Sequence, residues 1–115
     1  MIIKSETVTA KNKAGGKGEI QITHLLTPKE MLGQCEMFAK VTVPPGASLG
    51  THYHHGNSET YHILQGKAEY NDNDKIYEFS SGQTVFCPDG SMHAIENIGE
   101  EDLIFIALII KTPEQ

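Results

Sequence analysis

Three side chains of metal-binding types follow one another near the middle of the sequence. His52 and His54 are two residues apart, so on an extended strand both imidazoles leave the same face. Glu59 follows after a short turn and can open the next, antiparallel strand. Two imidazoles and a carboxylate that converge in this way form part of a metal site. His93, which enters a later strand after a Pro/Gly turn, offers the remaining ligand.

Glycines and a proline surround these ligands at defined spacings. The first motif, residues 46–66, reads Gly-x5-His-x-His-x4-Glu-x6-Gly, and the second, residues 82–97, reads Gly-x5-Pro-x-Gly-x2-His-x3-Asn. Together they closely resemble the two motifs of the cupin superfamily. The resemblance implies an all-β fold, a double-stranded β-helix or jelly-roll barrel, with a central metal held by His52, His54, Glu59 and His93. It does not specify a reaction, because the superfamily carries out many.

The donor set limits the metal and its ligands. Three imidazoles and one carboxylate, without a thiolate, suit divalent manganese, iron, cobalt, nickel, copper or zinc. Four protein ligands in an octahedral arrangement leave two open positions, as in a catalytic or binding site. One carboxylate leaves about one net positive charge on the ion, which favours anionic, chelating ligands. The alternative is an ion-free core, in which burying four ionisable groups would be costly.

Tyr61 is the candidate catalytic residue. It lies two residues after the carboxylate ligand and shares its face, so its phenol could donate a proton or form an aromatic wall of the cavity. By the same alternation, Ile63 and Ile95 are expected to line a mostly apolar cavity. His55 is expected in an exposed turn, and His62 is expected to point away from the metal.

Composition argues against several classes of partner. The 9 lysines, 15 acids and absence of arginine give a net charge of −6, which disfavours nucleic acid. Arginine is also the usual bidentate phosphate ligand, so a phosphorylated sugar is disfavoured. No apolar run approaches the roughly 20 residues of a membrane span, and the first residues lack a secretory pattern. We therefore expect a cytoplasmic protein without a membrane partner, in which Cys35 and Cys87 are reduced.

Short strands separated by glycine-rich turns must position these groups. Strands are predicted over residues 2–9, 19–26, 35–43, 49–55, 60–65, 67–71, 75–79, 83–87, 92–97 and 103–110. Thr27-Pro28-Lys29-Glu30 predicts a helix of about one turn. Residues 1–115 thus form a single jelly-roll domain.

The last and the first predicted strands indicate that the protein self-associates. Residues 103–110 are apolar throughout, which predicts burial on both faces, either inside the sandwich or against a partner subunit. Together with an edge strand at the N-terminus, this apolar surface predicts a homodimer.

Three functional hypotheses remain open. The favoured one is a metal-dependent enzyme acting on a small carboxylate or carbonyl compound as a dioxygenase, decarboxylase, lyase or isomerase. Its ligand would be a small bidentate anion, such as a 2-oxo acid, hydroxy acid or enolate. The alternatives are a non-catalytic module that binds a small molecule and a sugar-directed isomerase or epimerase. Fold analogy alone cannot supply the substrate.

Overall fold

Ten strands form two antiparallel sheets in the computed structural model, which describes residues 1–114. They are β1 (Glu6–Lys11), β2 (Glu19–His24), β3 (Cys35–Val43), β4 (Ser48–Tyr53), β5 (Asn57–Gln65), β6 (Lys67–Asp72), β7 (Lys75–Ser80), β8 (Thr84–Cys87), β9 (Met92–Asn97) and β10 (Leu103–Lys111). One sheet has the order β1-β2-β3-β10-β5-β8, and the other has the order β4-β9-β6-β7. The predicted all-β jelly-roll barrel is confirmed.

The sequence predicted the strand bounds to within three residues, except at the start of β1. That strand begins at Glu6, not at residue 2, because its pairing with β2 runs only from Glu6 opposite His24 to Lys11 opposite Glu19. Alternation in the sequence could not show where the partner strand ends.

No helix of the described residues is long and apolar enough to cross a bilayer. The cytoplasmic location remains a prediction.

The predicted one-turn helix is present as α1 (Pro28–Met31). The side chain of Glu30 supplies its half of the capping box, since Glu30 Oε1 accepts from the Thr27 backbone N–H at 2.9 Å, and the Thr27 hydroxyl donates to the same oxygen at 2.7 Å. The helix ends at once because Leu32 and Gly33 adopt left-handed backbone angles, with φ of 54° and 71°. The helix remains outside the barrel and does not contribute to the metal cavity.

The apolar core lies between the two sheets, and β10 shows how it is filled. Leu103, Phe105 and Ala107 alternate into the core and are fully buried. Ile104 and Ile106 point to the other side of the six-stranded sheet and are only half-buried. Burial of this strand on both faces within one chain is therefore wrong, because no second layer formed by residues 1–114 covers the outer face. Burial against a partner subunit remains a prediction.

Candidate metal centre

Strands from both sheets bring the four predicted ligands together. In the four-stranded sheet, β4 pairs with β9 so that His52 lies directly opposite His93, and His54 follows one residue after β4. Glu59 comes from β5 in the six-stranded sheet. One ligand atom from each of the four residues lies within 4.8 Å of all the others. Except for His52, which is partly exposed, the cluster is buried.

One oxygen of Glu59 lies at the centre of the cluster. Glu59 Oε1 is 3.3, 3.2 and 3.0 Å from the Nε2 atoms of His52, His54 and His93. The Nε2 atoms of His54 and His93 are themselves 3.0 Å apart. Such crowding of electron-rich atoms requires a shared proton or cation between them.

The Nδ1 atoms show which of these nitrogens carry lone pairs. The Nδ1–H of His52 donates to the Gly50 carbonyl oxygen at 2.9 Å, which leaves its Nε2 unprotonated in the neutral ring. His54 Nδ1 lies 2.6 Å from Asn57 Oδ1. The amide nitrogen of Asn57 donates to Glu36 Oε2 at 2.9 Å, and because a carboxylate only accepts, this bond fixes which way the amide faces. His54 Nδ1 must therefore be the donor, and its Nε2 also faces the cluster as a lone pair.

His93 has a corresponding partner in Tyr70, whose hydroxyl oxygen lies 2.6 Å from His93 Nδ1. Each imidazole thus has its outer nitrogen occupied and its inner nitrogen directed at one point. This is the arrangement in which histidines bind metals, because the outer hydrogen bond fixes both the tautomer and the ring orientation. The residues present fit a divalent transition metal, which His52, His54, Glu59 and His93 would hold.

Asn57 should matter for metal affinity although it is not a ligand. Asn57→Ala removes the acceptor that orients the His54 ring, and we expect metal affinity to fall about 10- to 100-fold. Competition with a coloured chelator measures this loss. Asn71→Ala is the matched control, because the Asn71 side chain accepts from the Asp74 N–H in the β6–β7 hairpin and not from a ligand histidine, and it should bind metal as the wild type does. Unchanged affinity in Asn57→Ala would show that the His54 ring needs no such support.

The charges at the cluster are strongly coupled in the metal-free protein. Burial raises the pKa of Glu59, but hydrogen bonds with His52 and His93 outweigh it and hold that pKa at about 2. Burial lowers the pKa of His52, but hydrogen bonds with Glu59 and the Gly50 carbonyl more than offset it, so the pKa lies above its ordinary value. The pKa of His93 lies below its ordinary value, with burial as the main cause. Glu59 is thus ionised, and a proton occupies His52 before it occupies His93.

These pKa shifts set the direction of a pH effect on metal binding. Because the pKa of His52 is raised, a proton competes with the metal at this imidazole at a higher pH than it would at an unperturbed histidine. Glu59 stays ionised down to about pH 2, so the histidines control the dependence. We expect metal affinity to fall steadily as pH drops from about 7.5 to about 5.5. Titrations across that range would measure it, and an unchanged affinity would contradict imidazole coordination.

The cluster opens into a mostly apolar cavity of about 540 Å³. Its walls come largely from β1, β2, β3 and β10, and they include Val8, Ile22, Met37, Val41, Phe105 and Ile109. The apolar character agrees with the sequence prediction, but the residues differ. Ile63 and Ile95 are buried in the core and do not line this cavity, because it opens toward the other strands. Of the remaining predictions, His55 and His62 are both exposed, as expected.

Tyr61 lines the cavity on the same face of β5 as Glu59. Its ring stacks on His93, with centroids 4.9 Å apart, and contacts Phe105. The hydroxyl oxygen is buried without a hydrogen-bond partner of ordinary geometry. Burial, and then the nearby charge of Glu59, raise the pKa of Tyr61 well above its usual value, so the phenol stays protonated. Its role as a proton donor remains a prediction.

Several residues of the site were not found from the sequence. Tyr70 and Asn57 orient ligands, and Lys13 and His24 line the cavity. The alternation of Ala68 and Tyr70 on β6 indicates an inward tyrosine, but its contact with an imidazole depends on the pairing of β6 with β9. Asn57 lies three residues after His54, at the start of β5, and this short spacing was the one local signal available.

A family model for the cupin domain matches residues 39–109. The chain belongs to the cupin family. This cupin is 40% identical over 113 residues to an oxalate-binding protein of Thermotoga maritima, covering 96% of this chain and 93% of that protein. A crystal structure from the same organism, described as a predicted oxalate decarboxylase, has a TM-score of 0.93 at 37% identity, covering 97% of this cupin and 100% of that chain.

A third similarity is more limited. The oxalate decarboxylase OxdC of Bacillus subtilis is 31% identical over 75 residues, which is 61% of this cupin but only 20% of that enzyme. The cupin resemblance predicted from the two motifs is thus confirmed, and the site of this cupin is a buried cluster of three histidines and one glutamate able to hold a metal ion.

Proposed function

We propose that this cupin binds a small dicarboxylate, with oxalate as the leading candidate, by direct chelation to a divalent metal. The convergence of the ligand set carries this proposal: inner lone pairs of His52 and His54 meet a Glu59 oxygen where the cluster opens into the cavity. The similarity to a protein named for binding oxalate supports the choice of ligand.

The charge and shape of the site suit such a ligand. A divalent ion offset by Glu59 keeps about one net positive charge, and apolar walls strengthen its attraction for an anion by excluding water. An ion held by these four residues would accept two further oxygen donors. Oxalate could supply both, one from each carboxylate. With no arginine in the chain, the ion must provide much of the binding.

Calorimetry tests the proposal directly. Metal-loaded and metal-free protein are each titrated with oxalate and, as a control, with a neutral monosaccharide. We expect oxalate to bind only the loaded form and the sugar to bind neither. Equal oxalate binding to both forms, or binding of the sugar alone, would contradict the proposal and favour the sugar-directed alternative.

Turnover is the second candidate function, and the buried, unpaired hydroxyl of Tyr61 favours it. In decarboxylation, the C–C bond breaks and CO2 leaves, while the bonding electron pair stays on the remaining carbon. That carbon must then take a proton. Tyr61 would give its hydroxyl proton and recover one from solvent. Oxalate would yield formate, so formate release separates this function from binding alone.

We also propose that this cupin forms a homodimer through the outer face of the six-stranded sheet. An apolar strip runs across this face and comprises Leu64, Phe86, Ile104, Ile106 and Leu108. At its centre Ile106 lies between Lys40 of β3 and His62 of β5, while the acidic Glu36 lies at the far end of β3, although the chain carries a net charge of −6. A second copy can therefore pack against it without repulsion between carboxylates.

Sedimentation at micromolar concentration should show a dimer. Ile106→Lys would place a charge in the centre of the strip, and we expect it to give a monomer that retains its metal. A monomeric wild type would contradict the dimer without affecting the metal site.

A further inference from the structure

A tight loop, residues 12–18, carries Lys13 to the mouth of the metal cavity; we refer to it as the rim loop. Lys13 and Ala14 both line the cavity beside His52. The loop turns sharply because Asn12 and Ala14 adopt left-handed backbone angles, with φ of 51° and 53°. The Asn12 side chain closes the turn by donating to the Gly16 carbonyl oxygen at 3.1 Å.

Close backbone contacts fix the rim loop to β4. A Cβ atom on Gly16 would overlap the Ser48 carbonyl, and one on Gly50 would overlap the Ala14 carbonyl, so only glycine fits at either position. The Lys17 N–H donates to Ser48 Oγ and the Ser48 N–H donates to the Lys17 carbonyl, both at 2.9 Å. Lys13 is thus held in register with the strand that carries His52.

The ammonium group of Lys13 is available to a ligand. Three other lysines have a carboxylate within 4.0 Å, in the pairs Lys11–Glu19, Lys17–Glu96 and Lys67–Glu78. In the described residues 1–114, Lys13 has no such partner. The one acid that lines its cavity is Glu59, which belongs to the metal ligand set.

The balance of charges distinguishes two kinds of anion. The ion and Glu59 together leave about one positive charge, which a monocarboxylate neutralises by itself. A dicarboxylate brings a second negative charge, and Lys13 is the cationic side chain at the cavity that can offset it. Oxalate chelated through two oxygens also leaves two oxygens directed away from the ion. Acetate uses both of its oxygens at the ion and presents a methyl group.

We propose that Lys13 binds the outward oxygens of a metal-chelated dicarboxylate and thereby makes the site prefer dianions over monocarboxylates. This inference rests on the proposed function of dicarboxylate binding. It assigns the rim loop a role in ligand selection, through a residue that does not itself contact the ion.

The test compares metal-loaded wild type, Lys13→Met and Lys11→Met by calorimetry with oxalate, malonate and acetate. Methionine keeps the length of the side chain and removes its charge. We expect Lys13→Met to weaken oxalate and malonate about 10- to 100-fold, as for loss of a charge-assisted hydrogen bond, and to change acetate less than about threefold. Metal content should not change. Lys11→Met, which removes a nearby lysine that lies outside the cavity, should bind all three anions as the wild type does.

Each other outcome has a distinct meaning. Unchanged oxalate and malonate affinity in Lys13→Met would overturn the role of Lys13 and leave the proposed function standing. An equal loss for acetate, or the same loss in Lys11→Met, would overturn selectivity, since it would show a general effect of charge. The wild type could instead bind malonate but not oxalate, with malonate binding lost in Lys13→Met. That result would support the role of Lys13 and contradict the choice of oxalate as the ligand. If the wild type bound neither, both proposals would fall.

Discussion

Replacing His93 with alanine is expected to strip most of the metal from the protein. His93 Nε2 lies 3.0 Å from both Glu59 Oε1 and His54 Nε2, so the change removes one of four converging donors. We expect affinity to fall by more than about 100-fold, beyond the effect typical of residues that only orient a ligand. Metal analysis after dialysis measures it, with the exposed His62→Ala as the control.

A second variant separates ligand loss from damage to the fold. His93 is fully buried, and its removal leaves a cavity, whereas the His52 side chain is 25% exposed. His52→Ala should therefore lose metal with less effect on stability. Full metal content in His93→Ala would mean that the second sequence motif does not supply a ligand.

Replacing Tyr61 with phenylalanine is expected to separate stability from turnover. The Tyr61 hydroxyl is buried near Glu59 without a hydrogen-bond partner of ordinary geometry in residues 1–114, so its removal should leave the free energy of unfolding unchanged or raise it. Metal content should be unaffected. If the protein turns over oxalate or a related acid, loss of the proton donor should lower the rate by about 100-fold or more.

Tyr53→Phe is the matched control, because that tyrosine is 64% exposed and does not line the cavity. Formate release and thermal unfolding would be followed for both variants. Turnover by Tyr61→Phe at the wild-type rate would make Tyr61 a wall residue only. A clear loss of stability would instead show that its hydroxyl has a partner in the folded protein.

The residues that the sequence predicted best are those whose geometry is local. His52 and His54 share a face because strands alternate, and Tyr61 shares the face of Glu59 for the same reason. The Thr27–Glu30 capping box likewise depends on residues three apart in the chain. Such features follow from backbone periodicity and need no knowledge of the tertiary structure.

The features that were missed depend on which strands meet. Tyr70 reaches His93 because β6 pairs with β9, and Glu36 holds Asn57 across 21 residues of sequence. Lys13 reaches the cavity because a loop from the start of the chain packs on β4. The composition of β10 showed that it is apolar but not that its outer face lacks a second layer. None of these contacts leaves a periodic signal in the sequence.

The division of the ligands between two sheets has a mechanical consequence. Three histidines belong to the four-stranded side and Glu59 belongs to the six-stranded side, so a bound ion would act as a non-covalent cross-link between the layers. At a free metal concentration about 100 times the dissociation constant, such an ion adds about 2.7 kcal/mol to the free energy of unfolding. The two sheets would then come apart last at the end of the barrel that holds the ion. The free metal concentration would therefore govern how long the protein resists heat and proteases.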